Sequence, residues 1–448
     1  MIRPLASLLL CLSLVACDSS DGDVTWHQTI APIVAANCAS CHVPGQIAPF
    51  DLVTYEDAAP IAAWMAETVE ARTMPPWAAQ VTDECAPNAD WKGDRRLTDE
   101  EIALFRAWAD AGAPEGDAAT AADLPAPISL ELARIDQTLS VDIPWTASGE
   151  TDQFRCFVLD PELVERGKLV GLQINPGNDE VVHHALVFTS QPEDAAELDA
   201  RAEADGTGTF ECGAGNPAPS GVELVSAWAP GAEPMATPDG TAMIVEAGAR
   251  LVMQIHYHPT GPAAAPDTTT MDLMWSDEPG LRPAFFALPG NESHGPELLP
   301  GPNDSGAEAE FVIPAGARGH VETIVYEGLD TGTDLTVWAA GSHMHWVGTD
   351  MKVSVRHQDG TEECLVQTPN WDFNWQRWYP FAGPLDLMPR FNNGDTLVLR
   401  CTYDNSLENP KVRDALAEQG LTEPVEVRLG DGTMDEMCLA VLGLTYAE

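Results

Sequence analysis

His343 and His345, in "GSHMHWVGTD" (341–350), stand two residues apart in a run of strand-forming residues. In a β-strand residues i and i+2 project from one face, so both imidazoles can turn toward a single metal ion. Two imidazoles do not close a site, and the chain supplies further donors. Of its 11 histidines, six fall into three short motifs: His183 with His184, His256 with His258, and His343 with His345. Scattered core or surface histidines do not group this way, so the set points to metal ligation. His183 and His184 would face opposite sides of a regular strand, and sharing an ion requires a twisted strand end. Of the other five, His27, His294, His320 and His357 lie in polar or turn-like contexts and read as surface residues, and His42 belongs to a separate motif. Imidazole alone suits zinc, copper, iron or nickel, and carboxylates at helical metal spacing are missing from these motifs. A thioether would tip the choice toward copper, because soft sulfur favours Cu(I). Met434 and Met437, in "GDGTMDEMCLAVLGLTY" (430–446), offer one.

A second chemistry lies near the start. Cys38-Ala39-Ser40-Cys41-His42 is the C-x-x-C-H pattern of covalent c-type haem attachment. Two thiols add to the haem vinyl groups, and the adjacent histidine then sits beneath the iron. Met74, stiffened by Pro75 and Pro76, is the expected sixth ligand, and His/Met ligation favours electron transfer. Met65, in a helical pattern, competes for that role and reads as core. "LTDEEIALFRAWADAGAP" (97–114) opens with Thr98 and Glu101 at capping-box spacing and closes at Gly112 and Pro114, which predicts a capped amphipathic helix. Residues 24–115 thus read as a small α-helical haem domain, similar to bacterial cytochrome c-like modules fused to enzymes. An Ala/Pro/Asp-rich linker, 116–128, follows.

With 70 acidic against 22 basic side chains the 448-residue chain carries a formal charge of −48, which excludes nucleic acid as a partner. Residues 1–17 read as an export leader, and "LVAC" (14–17) resembles the bacterial lipobox, whose cysteine is acylated. The expectation is an exported lipoprotein, periplasmic or at the outer surface, anchored to a bacterial membrane through Cys17. Such a compartment preserves disulfides. Six cysteines remain outside the leader and the haem motif: Cys85, Cys156, Cys212, Cys364, Cys401 and Cys438. Sequence alone does not choose among their fifteen pairings.

Beyond residue 128 short alternating or β-branched runs recur between turn residues: "KLVGLQINPG", "HHALVFTS", "RLVMQIHYHPTG", "DLTVWAAGSHMHW", "MKVSVRHQDG", "DTLVLRCTYDN". They predict antiparallel β-sandwiches. The Pro/Gly-rich stretch 288–310 suggests a boundary near the midpoint, giving units 129–284 and 285–448. The ordered motifs "VHHALVF", "MQIHYHP", "SHMHWVG" and "DEMC" resemble those of the type II copper monooxygenases, the family of the peptidylglycine α-hydroxylating and dopamine β-monooxygenases.

The resemblance implies a mainly β fold: two jelly-roll β-sandwich domains, here preceded by the α-helical cytochrome c domain. It implies two copper ions. His183, His184 and His256 would bind the electron-storing copper; His343, His345 and Met437 would bind the catalytic copper that activates dioxygen. His258 reads as structural. Disulfides Cys401–Cys438 and Cys156–Cys212 are implied too, with Cys85 and Cys364 left to pair or stay reduced. Members that amidate peptides carry an arginine two residues before the H-x-H pair; Gly341 stands there, and Leu439 and Val441 replace polar residues after the methionine. The expected activity is hydroxylation of a small organic substrate with O2, with electrons from an external donor, ascorbate-like or a cytochrome, relayed through haem c. The alternative is a non-enzymatic haem and copper electron-transfer or copper-handling lipoprotein. In "PNWDFNWQRWYPF" (369–381), alternation would put Trp371, Phe373 and Trp375 on one face, as sandwich core or as an apolar wall by the second metal.

Overall fold

Period-2 apolar runs bounded by turn residues form strands, and the chain is mainly β, with 33% strand and 17% helix. The computed structural model describes residues 24–447 apart from 150, 205, 214–216, 260, 262–264, 306–307, 431 and 433. The leader and Cys17 lie outside the described residues.

The N-terminal unit holds four helices: α1 (Ala31–Asn37), α2 (Tyr55–Ala58), α3 (Ala62–Glu70) and α4 (Asp99–Asp110). Thr98 and Glu101 form the expected reciprocal cap on α4, and Thr54 with Asp57 repeats it on α2. Ile30, Val34, Met65, Val69, Phe105 and Trp108 pack into a core of their own, so Met65 is a packing residue. Between α3 and α4 the chain leaves this unit. Trp77, Ala79 and Trp91 bury themselves in the main β core. Gln80 N–H donates to Gln367 O at 2.9 Å, and Lys92 N–H to Pro380 O at 2.7 Å. Cys85 is disulfide-bonded to Cys364. "MPPWAAQ" has no helical period, and its tryptophan is buried in the β core instead.

In the first half of the β body, β2 (Gln153–Leu159), β4 (Val182–Ser190), β5 (Thr209–Glu211), β6 (Val222–Trp228) and β9 (Leu251–Tyr257) form one sheet, ordered β5-β2-β9-β4-β6. The other layer contains β1 (Gln137–Ser140), β3 (Gly167–Asn175), β7 (Met235–Ala236), β8 (Thr241–Val245) and β10 (Thr270–Trp275). That layer continues into the second half through β11 (Arg282–Ala287), β14 (Leu335–His343), β17 (Trp378–Pro380), β18 (Arg390–Phe391) and β21 (Leu439–Tyr446). The path of this ten-stranded sheet is β1-β10-β3-β8-β11-β21-β14-β17, with β7 beside β3 and β18 beside β14. The second half adds β13 (Arg318–Tyr326), β15 (Gly348–Arg356), β16 (Glu362–Thr368) and β19 (Thr396–Asp404), ordered β13-β19-β15-β16. A small pair, β12 (Val312–Ile313) with β20 (Val427–Arg428), and helices α5 (Ala195–Glu203) and α6 (Pro410–Glu418) complete the body. The expected boundary at 284/285 falls inside β11.

Inner-face residues from both layers, such as Leu172 and Met243 against Val187 and Met253, join one continuous buried cluster with Val337, Leu399 and Leu442 of the second half. Each such side chain contributes roughly 1.5–3 kcal/mol when fully buried. The disulfides Cys156–Cys212 and Cys401–Cys438 are both present. Among the described residues, no helix is long and apolar enough to cross a membrane. Replacing Cys85 and Cys364 together by serine should cost about 2–4 kcal/mol, read from the urea midpoint. An unchanged midpoint would mean that apolar burial and hydrogen bonds hold the 77–95 strap without the disulfide.

Candidate metal centres

The first histidine group is built by neighbouring strands. His184 on β4 lies directly opposite His256 on β9, and the register slips between Val182 and His184. That bulge gives one strand an extra residue, which turns His183 to the side that His184 faces. The predicted twist at this point is therefore a bulge. His183 Nδ1 lies 3.1 Å from His184 Nδ1, which is 3.3 Å from His256 Nδ1. Three nitrogens at tetrahedral angles around an ion, each ~2.0 Å from it, would stand about 3.3 Å apart. Among the described residues, these three form a group of histidine, cysteine or carboxylate ligand atoms within 4.8 Å of one another.

His256 is oriented from behind. Its Nε2–H donates to Asp152 Oδ2 at 2.8 Å, and Phe154 stacks on its ring at 4.3 Å. His258 donates to the other oxygen of Asp152, also at 2.8 Å, and does not join the cluster. Burial pushes the Asp152 pKa up, but the two imidazole bonds outweigh it and bring it down to about 2. Burial, then the neighbouring His256, lowers His183 to about 4, and the same causes take His184 well below its usual value. Both rings are therefore neutral at physiological pH, as metal ligation requires.

The second group sits where β14 ends. His343 is the last strand residue and His345 lies in the turn beyond, so the two rings meet edge-on, 5.2 Å apart at 89°, rather than as strand neighbours. His343 Nδ1–H donates to Gln376 Oε1 at 2.7 Å, and His345 Nδ1–H to Asp435 O at 3.0 Å. With Nδ1 engaged, Nε2 is the nitrogen that would ligate. Burial, with His345 nearby, lowers His343 to about 3. Met437 is buried just before β21, and Tyr403 O–H donates to its carbonyl at 2.9 Å. Glu436, fully buried, accepts backbone N–H bonds from His345 (2.7 Å), Met437 (2.8 Å), Val347 (3.0 Å) and Gly348 (3.1 Å). Burial raises its pKa to about 8 although these four donors pull it down.

His184, His256, His343, His345 and Met437 all line one cavity of ≈ 480 Å³ with largely apolar walls, including Leu288, Leu439 and Val441. Residues 371–377 form an irregular loop with one tight turn, Phe373–Trp375, so the expected shared strand face does not exist. Trp371 Nε1–H donates to His345 O at 3.2 Å, while Phe373 reaches the cavity. Gly341 has no room for any side chain: a Cβ would lie 2.9 Å from Trp378 Cα and 3.0 Å from Arg377 O.

At the N-terminal motif Cys38 and Cys41 are both unbridged thiols. Burial, then Cys41, pushes Cys38 up to about 12. His42 Nδ1–H donates to Phe50 O at 3.0 Å, which leaves Nε2 as the nitrogen for an axial bond. Met74 follows α3 at 36% exposure. The two thiols and the His42 ring are compatible with a covalently held haem.

Sequence reasoning missed Asp152, Gln376 and Glu436. Glu436 stood inside "DEMC", and its place directly beside the expected ligand was the discoverable signal; Asp152 and Gln376 had none. The surface reading of His320 is corrected: it is buried and bonds Glu322 Oε1 at 2.8 Å.

Residues 312–444 match a family model described as copper type II ascorbate-dependent monooxygenase, C-terminal domain. No curated protein matches the chain in sequence. Among solved structures, a peptide-N(4)-(N-acetyl-β-D-glucosaminyl) asparagine amidase is 8% identical at a TM-score of 0.26, covering 69% of this chain and 96% of that one. PNGF-II is 9% identical at 0.27, covering 70% and 66%. Likenesses this slight carry no argument. The match covers residues 312–444 of the 448, and over that stretch the chain is similar to the C-terminal domain of copper type II ascorbate-dependent monooxygenases.

Proposed function

We propose that the chain is a copper-dependent monooxygenase that hydroxylates a C–H bond of a small, largely apolar substrate. One oxygen atom of O2 enters the product; the other leaves as water after two electrons and two protons are supplied. The observation that carries this reading is that two unlike donor sets meet one apolar cavity: His184 and His256 of the three-imidazole group on one side, His343, His345 and the Met437 thioether on the other. Copper on His343, His345 and Met437 would supply O2 activation and hydrogen abstraction, and copper on His183, His184 and His256 would store an electron.

The chain's own residues do the positioning. Gln376 and the Asp435 carbonyl fix the second pair's tautomer, and Asp152 fixes that of His256. Leu288, Leu439 and Val441 keep water from the reacting bond. No arginine can stand at Gly341 to grip a peptide carboxylate, and Arg377 on the cavity wall is tied to Gly231 O at 3.2 Å. A peptide substrate is disfavoured on both counts.

The N-terminal unit is read as an electron relay carrying haem c on Cys38, Cys41, His42 and Met74, fed by an external donor. Two unbridged thiols and the Nδ1 bond of His42 support that part. Acylation of Cys17 would hold the exported protein on a membrane.

Met437→Ile should abolish hydroxylation and substrate-stimulated O2 uptake while copper binding at His183, His184 and His256 persists. Turnover surviving in this variant would show the ligand set to be wrong. Asp152→Ala frees His256 to turn, so copper affinity at the first centre should fall about 10–100-fold in competition titrations. An unaltered affinity would remove Asp152 from the centre.

A further inference from the structure

The loop 371–377 touches more than one centre. A Cβ on Gly231 would lie 3.7 Å from Cys41 Sγ and 3.8 Å from Trp375 Cζ3, so thiol and indole meet on the same glycine. Arg377 Nη2–H donates to Gly231 O at 3.2 Å and holds the two loops together. Two residues before Trp375, the Phe373 ring lies 6.0 Å from His183, inclined by 28°, and 5.6 Å from His345 at 85°. Asn374 hydrogen-bonds His183, and Gln376 holds His343. Five consecutive residues therefore reach the C-x-x-C-H motif and both histidine centres.

Covalent attachment gives this contact its meaning. The Cys41 thiol would add across a haem vinyl group, so the macrocycle would begin two bonds from the sulfur that abuts Gly231 and Trp375. We infer that Trp375 and Phe373 are the electronic contact between a haem bonded at Cys41 and the two histidine centres. The inference rests on the haem–copper monooxygenase reading. Each transfer moves one electron: ferrous haem becomes ferric, Cu(II) becomes Cu(I), no bond forms or breaks, and the external donor restores ferrous haem.

The test uses the full chain loaded with haem and copper under anaerobic conditions. The haem is photoreduced by a flash, and its absorbance follows reoxidation onto Cu(II). Trp375→Leu and Phe373→Leu should each slow reoxidation by an order of magnitude or more, with haem spectrum, haem potential and copper content unchanged. Trp375→Phe and Phe373→Tyr, which keep a ring in place, should restore most of the rate, and Trp275→Leu on β10 should not alter it. Wild-type rates in both leucine variants at full metal load would overturn the route and leave the reading standing. A wild-type protein whose loaded haem never reoxidises would overturn the relay reading, and the route with it.

Discussion

Strand β11 is hydrogen-bonded to β8 on one side and to β21 on the other, and the placement of both histidine centres depends on that seam. Ala284 pairs with Met243 in parallel and with Thr445 antiparallel, so a single residue belongs to both halves. A parallel pair cannot be closed by a tight hairpin; the chain between β8 and β11 must leave and return, and it builds β9 and β10 on the way. Turning one half against the other would break buried backbone bonds, each costly when left unpaired. The relation of His184 and His256 on the five-stranded layer to His343 and Met437 on the ten-stranded one is thus set by a sheet, not by a hinge. The 77–95 strap and the 371–377 loop reinforce what the seam already holds.

Within that frame each centre is organised by one carboxylate. Burying Glu436 would cost several kcal/mol without partners, and four backbone N–H groups offset this by gathering the His345 turn and the Met437 segment around its two oxygens. Three successive residues then have three jobs: Glu436 gathers, Met437 presents its thioether, and Cys438 locks the segment to Cys401 on β19. Asp152 plays the simpler part at the first centre, clasping His256 and His258 with separate oxygens. Rings held this way have lost their rotational freedom before any ion arrives, which favours binding.

The sequence disclosed what adjacency and period can encode: His183 with His184, His343 with His345, the capping box of α4, and the strands carrying them. It could not disclose features made by residues that meet only after folding. The bulge that turns His183 depends on the register with β9, some 70 residues later. Asp152 precedes His256 by about a hundred residues, and only the β2–β9 pairing brings Phe154 and its neighbour alongside. The aromatic spacing of 371–375 imitated a strand, but Asp372 caps a tight turn there by accepting the Asn374 N–H, and the local bond prevailed. His320 looked polar by context, and the Glu322 two residues on made its burial tolerable.

The two centres also present opposite ring nitrogens, and this difference bears on their division of labour. The first converges through Nδ1, the nitrogen nearer the backbone, and so would hold an ion close against β4 and β9 with its geometry dictated by the strands. Such a site would resist reorganisation, in keeping with the electron-storing role proposed for it. The second uses Nδ1 for Gln376 and the Asp435 carbonyl, so Nε2 would carry the ion outward from a strand end, where the thioether proposed as third donor lies on the same cavity. That ligand set would leave coordination positions turned to the cavity, where Leu439 and Val441 shield whatever reacts. The choice of ring nitrogen follows from hydrogen bonds behind His256, His343 and His345, and the thioether adds a second difference between the two donor sets.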